Sequence, residues 1–133
     1  MNYRQTILVV DDDAFIRRPL EFILRQEGFD TVTADGGSAC MEQLAAVRPD
    51  LIIMDVMMPR VDGISLCRSI RDNPDTANIK VLAITAFPEQ DNVKKMYDAG
   101  ADLCLIKPLQ FEHFRLEVIR LLNERTPAAS AGH

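Results

Sequence analysis

The chain has 133 residues, 47% of them apolar and 26% charged, with a formal net charge of −5. This length suits one domain with a single sizeable core, and the composition excludes a disordered or collagen-like chain. The acidic balance and the lack of a Lys/Arg cluster argue against nucleic acid or an anionic membrane as the main partner, and no apolar run approaches the about 20 residues of a membrane-spanning helix.

An apolar run over residues 7–10, Ile-Leu-Val-Val, predicts the first strand. Asp11, Asp12 and Asp13 follow it, and a helix is expected over 14–27 with Phe15, Ile16, Leu20, Ile23 and Leu24 on one face, Asp13 as N-cap and Gly28 as its stop. Pro19 lacks an amide donor and lies beyond the first turn of that helix, which predicts a local kink. A second strand over 31–34 leads into a helix over 38–47 that ends at Arg48-Pro49. The third strand, 51–54, runs into Asp55, and a helix over 64–71 ends near Asn73-Pro74. A fourth strand over 81–85 finishes on Thr85, and the next helix runs from about 89 to 99 and closes with Gly100. The fifth strand, 103–106, is followed by Lys107-Pro108 and a last helix over 111–124 that turns Phe114, Val118, Leu121 and Leu122 inward. Residues 1–125 are expected to form the domain, and 126–133 have little to bury and read as a mobile tail.

Five βα units joined by right-handed crossovers make a doubly wound, five-stranded parallel sheet with helices on both faces. The first, third and fourth strands are nearly continuous runs of Val, Ile, Leu and Met, as expected for strands covered on both sides. Sheets of this kind bind ligands beyond the carboxyl ends of their strands, and that edge carries Asp11, Asp12, Asp13, Asp55, Thr85 and Lys107. Singly, these residues have ordinary explanations as a helix cap, a turn residue, a strand end and a solvated lysine. Their convergence at one mouth is what points to chemistry. Clustered carboxylates repel one another unless a cation is present, and a hard divalent ion with oxygen ligands meets that need. An ionised carboxylate is also a competent nucleophile toward phosphorus, while an ammonium group and a hydroxyl suit the neutralising of phosphoryl oxygens.

Four segments, Ile-Leu-Val-Val-Asp-Asp-Asp, Met-Asp-Val-Met-Met-Pro-Arg-Val-Asp-Gly, Ile-Thr-Ala and Ile-Lys-Pro, together resemble the signatures of response-regulator receiver domains. The resemblance covers roughly residues 5–124 and implies a flavodoxin-like sheet of order 2-1-3-4-5. It implies that Asp55 accepts a phosphoryl group from a sensor histidine kinase or histidine phosphotransferase. Asp11, Asp12, Asp55 and the backbone carbonyl of Met57 would hold Mg²⁺, with Mn²⁺ as a substitute; Thr85 would bind a phosphoryl oxygen and Lys107 would pair with the phosphate. A cis peptide before Pro108 and a downstream protein target or fused output domain, reached through the fourth helix, fifth strand and fifth helix, are further implications. No direct nucleic-acid contact and no membrane insertion are expected. Without a secretion signal in view, a cytoplasmic location is expected. Cys40, Cys67 and Cys104 are widely spaced and are expected to be buried, reduced thiols.

Cys104 departs from the family pattern, because an aromatic residue often stands three places before the lysine and turns inward on activation. Met57 and Phe87, two places past Asp55 and Thr85, are apolar where polar groups are often found, which suggests a shielded, long-lived acyl phosphate. Three other functions compete with this assignment. A haloacid-dehalogenase-type phosphatase needs a second carboxylate two residues after the nucleophile, where Met57 cannot transfer a proton. A phosphate-independent interaction module draws support from Cys104 but not from the full acidic, Thr and Lys set. A nucleotide-binding domain lacks its glycine-rich loop after the first strand.

Overall fold

The computed structural model describes residues 4–58, 61–86 and 91–124. In chain order these form β1 (Thr6–Val10), α1 (Ala14–Gln26), β2 (Asp30–Ala34), α2 (Gly37–Val47), β3 (Leu51–Asp55), α3 (Gly63–Asp72), β4 (Lys80–Thr85), α4 (Asn92–Ala99), β5 (Leu103–Ile106) and α5 (Phe111–Asn123). A two-residue antiparallel ribbon, Met57–Met58 with Val61–Asp62, lies between β3 and α3. The five main strands are all parallel and lie in the order β2-β1-β3-β4-β5, the doubly wound arrangement expected from the sequence. The tail after Arg125 lies outside the described residues, as does the expected start of the fourth helix at 89–90.

Alternation along the strands sorts the core into two layers, because successive side chains leave a strand on opposite faces. Leu8, Val10, Ile52, Met54, Val81 and Ala83 face one way and pack against Cys40 and Leu44 of α2, Ile70 of α3 and Met96 of α4. Ile7, Val9, Leu51, Ile53, Leu82 and Ile84 face the other way, onto Leu20 and Leu24 of α1 and Phe114, Val118 and Leu121 of α5. The three central strands are thus dry on both sides, which is why their sequences show no polar alternation.

One expected core residue is not in the core. Phe15 is 90% exposed, because it shares a helical stripe with Pro19 and Phe22, itself 64% exposed, rather than with Leu20 and Leu24. α1 runs through Pro19 to Gln26. The amide that proline lacks would have served the carbonyl of Phe15, at an exposed turn where water can replace it. Cys104 also departs from expectation, being only half-buried, whereas Cys40 and Cys67 are buried. Burial pushes the Cys40 thiol up to about 11 and raises those of Cys67 and Cys104, so all three favour the protonated form.

Local signals account for the helix ends. Asp13 caps α1 by accepting from the Phe15 amide at 2.9 Å, and Asp62 caps α3 by accepting from Ile64 N at 3.0 Å. α2 ends on Arg48, whose φ of 54° is left-handed, before Pro49. α4 ends on Gly100, at φ 114°, with the Ala101 amide reaching back to Met96 O at 2.9 Å. Arg71 then ties this corner together. Its guanidinium donates to Gly100 O at 2.9 Å, Ala77 O at 3.0 Å and Asp102 Oδ2 at 2.8 Å, and the same Asp102 oxygen accepts from Val81 N at 2.8 Å. The C-terminal ends of α3 and α4 and the entries to β4 and β5 therefore share one half-buried cation.

Gly63 decides how closely α3 approaches the end of β3. A Cβ there would stand 2.8 Å from Val56 O and 3.0 Å from Asp55 O, both backbone atoms that cannot rotate away. Gly63→Ala is expected to lower stability by about 1–3 kcal/mol through this overpacking, read as a lower urea midpoint at unchanged slope.

Candidate functional site

The carboxyl ends of β1, β3, β4 and β5 open on the same side of the sheet, and each delivers at least one expected residue there. Asp11 follows β1 with its amide on Ala34 O at 3.1 Å. Asp55 closes β3, and the Val56 amide behind it donates to Ile84 O at 2.9 Å. Both are held in place by the ladder on either side, at 4% and 8% exposure. Thr85 closes β4 and is fully buried. Its carbonyl accepts from Lys107 N at 2.8 Å, which sets the lysine at the mouth. The Lys107-Pro108 peptide is cis.

Carboxylate oxygens of Asp11, Asp12 and Asp55 all lie within 4.8 Å of one another. Lys107 Nζ stands 3.2 Å from Asp55 Oδ2. The Asp13 amide donates to Asp11 Oδ1 at 2.9 Å, so Asp13 orients a neighbour while its own side chain caps α1. Sequence reasoning missed Arg17, whose guanidinium donates to the Asp11 carbonyl at 2.7 Å. One helical turn separates it from the acidic run, and nothing in its sequence spacing distinguishes it from exposed Arg18. Met57 lies just past Asp55 in the short ribbon; its side chain and all of Phe87 are outside the described residues.

The electrostatics fit a cation. Burial raises the carboxyl of Asp11 to about 6, with further upward pressure from Asp55 and Asp12, against which the Asp13 amide and Lys107 act. One lysine faces three acidic groups, leaving an excess of negative charge at a set of hard oxygen donors, the chemistry that suits Mg²⁺ or Mn²⁺.

Beside this mouth the surface turns apolar. A groove of about 470 Å³ is lined by Phe15 and Pro19 of α1, Lys107, Pro108 and Leu109 of the connection after β5, and Phe111 at the start of α5. Lys107 belongs to both the groove and the acidic mouth.

In a chelator, Asp11 keeps its proton up to about pH 6 in the folded chain, against 3.8 for an ordinary aspartate. Folding therefore takes up a proton in that interval, so stability is highest below it and falls as pH rises through about 6. Asp11→Asn should flatten this slope and raise stability near neutral pH by on the order of 2 kcal/mol, measured by urea unfolding at about pH 4 and about pH 7.

The sequence matches the response regulator receiver domain family over residues 7–119. It is 37% identical over 126 residues to the response regulator MprA of Mycolicibacterium vanbaalenii, covering 95% of this chain and 54% of that protein. To the DNA-binding response regulator MtrA of Mycobacterium leprae it is 36% identical over 107 residues, covering 80% of this chain and 46% of the relative. The chain thus spans about half the length of these curated relatives. Among solved structures, the receiver domain of a signal transduction histidine kinase from Syntrophus aciditrophicus superposes with a TM-score of 0.84 at 35% identity, covering 92% of this chain and 94% of that one. The chemotaxis response regulator CheY4 of Vibrio cholerae gives 0.83 at 25% identity, covering 90% and 99%. Matched over residues 7–119 and built on the same five-stranded parallel sheet as these solved structures, the chain belongs to the response regulator receiver domain family.

Proposed function

We propose that this domain is a phosphoacceptor switch of two-component or phosphorelay signalling, taking a phosphoryl group onto Asp55 from the phosphohistidine of a sensor kinase or phosphotransferase. The observation that carries this is the position of Asp55, within 4.8 Å of two other carboxylates and 3.2 Å from Lys107 Nζ at the open end of the sheet. In the transfer, a carboxylate oxygen of Asp55 bonds to phosphorus, the P–N bond breaks, and its electron pair returns to the imidazole of the donor. Lys107 neutralises negative charge at the phosphoryl oxygens, and Thr85 offers its hydroxyl to one of them. Asp11, Asp12, Asp55 and the Met57 carbonyl would hold Mg²⁺, which supplies countercharge to the carboxylates and to the incoming phosphoryl oxygens. The domain acts as a stoichiometric acceptor, since no group two residues after Asp55 can carry a proton for turnover.

A phosphohistidine arrives on a protein, so its carrier must rest on the rim of the mouth. The apolar groove that shares Lys107 with the site offers that rest, with 90%-exposed Phe15 at its edge. Once phosphorylated, the domain shifts between two states, with Thr85 drawn toward the phosphoryl group and α4, β5 and α5 presenting the altered face to a downstream target or a fused output domain. A cytoplasmic setting goes with this reading. Shielding of the acyl phosphate by Met57 and Phe87 belongs to the same proposal.

Incubation with acetyl phosphate and Mg²⁺ is expected to add one phosphoryl group, seen by mass, in the wild type and none in Asp55→Ala. Lys107→Ala should still be labelled but lose most of the response of its output; labelling retained in Asp55→Ala removes the assignment. Phe15→Asp is expected to slow transfer from a phosphohistidine protein by at least about tenfold, as for loss of one buried interface aromatic, while labelling by acetyl phosphate is unchanged.

A further inference from the structure

β5 is the outer strand of the sheet, paired on one side with β4. The Lys107 amide donates to Thr85 O at 2.8 Å, and peptide groups along a strand alternate in direction. The amides of Leu103 and Leu105 therefore face β4 as that of Lys107 does, while those of Cys104 and Ile106 point to the open edge. At Cys104 that edge donor is met by a side chain. The Cys104 amide donates to the hydroxyl oxygen of Tyr97, on α4, at 3.1 Å.

Two features make this contact more than an edge cap. First, α4 is held firmly at its C-terminal end, where Arg71 grips Gly100 O and Cys67 Sγ donates to Ala99 O at 3.5 Å, whereas its N-terminal end continues the chain that leaves Thr85. A shift at Thr85 thus reaches α4 at the end opposite this corner, as a tilt about it. Second, Cys104 is small, so the strand itself offers no ring at the place beside α4. The aromatic group on that boundary belongs to the helix, and a single directional hydrogen bond fixes its place.

We propose that the Tyr97–Cys104 hydrogen bond is a latch of the resting state, holding α4 to the open edge of β5 and breaking when Asp55 carries a phosphoryl group. This rests on the phosphoacceptor reading above and names the part that moves. A neutral hydrogen bond at a partly exposed edge biases an equilibrium by about tenfold, enough to set the resting population and weak enough for phosphorylation to overcome. Linkage makes the effect reciprocal: whatever breaks the latch on activation must bind more tightly when the latch is already gone.

Residue-resolved hydrogen exchange on the whole chain in Mg²⁺, with and without beryllofluoride as the phosphoryl mimic, tests the latch. The Cys104 amide should exchange about tenfold faster with beryllofluoride, while the Leu105 and Lys107 amides, which face β4, do not accelerate. Tyr97→Phe should show the fast Cys104 exchange without beryllofluoride and bind beryllofluoride severalfold more tightly than the wild type. Unchanged Cys104 exchange in a wild-type chain that acetyl phosphate still labels at Asp55 overturns the latch alone and leaves Tyr97 as a static cap. Equal beryllofluoride affinity in Tyr97→Phe and wild type overturns it as well. Absence of any labelling at Asp55 overturns the phosphoacceptor reading itself, and the latch with it.

Discussion

Three carboxylates within 4.8 Å of one another, two of them buried, repel strongly, and the energy of holding them together has to come from the rest of the chain. Asp11 and Asp55 cannot drift apart, because β1 and β3 are neighbours in a ladder whose side chains are packed on both faces. Lys107 offsets part of the repulsion from across the mouth, at the end of a strand that the Thr85 carbonyl holds in register. Burial first, and the remaining repulsion from Asp55 and Asp12 after it, raise the carboxyl of Asp11. A cluster that is uncomfortable alone suits a cation, whose positive charge offsets a repulsion that the fold imposes.

The sheet separates the tasks of rigidity and response. β1, β3 and β4 are sealed between two apolar layers, and the acidic residues sit at their ends with little freedom. β5 is different: it is an outer strand with half-buried Cys104 and partly exposed Ile106, and α4 meets it through Tyr97. At the opposite end of the strands, Arg71 locks the turn from α4 into β5 with three carbonyls and a carboxylate. The acidic residues are therefore placed where the sheet is packed on both faces, and on the proposed reading the adjustment falls to the outer strand and the helix beside it.

Surface character follows the same geography. α5 is laced by pairs such as Arg115 with Glu27 and Glu112, and Arg120 with Glu117, which are solvent-screened and add little stability but keep that face polar. α1 instead leaves Phe15 in water at the groove beside the mouth, with Phe22 exposed two turns further along the helix. On the proposed reading, this groove is where the carrier of the phosphohistidine rests.

What the amino-acid sequence settled by itself was periodic and local. Unbroken apolar runs identified β1, β3 and β4 as buried strands, Asp13 and Gly100 marked helix ends through backbone chemistry that needs no tertiary contact, and polar residues at or just past the ends of β1, β3 and β5 marked the edge where the acidic cluster and Lys107 meet. Bounds of the elements came out within a few residues because caps and prolines act over one turn. Tertiary structure alone decided what depends on distant segments meeting. Phe15 and Leu20 read alike as apolar helix residues, yet only packing against the sheet tells which stripe is dry. Arg17 and Arg71 look like any other surface arginine until the Asp11 carbonyl and the Gly100 corner arrive beside them. Tyr97 and Cys104 sit close in sequence, but the bond between them exists because β5 is the outermost strand and turns that amide outward, and strand order is fixed by how the whole chain winds rather than by any one segment.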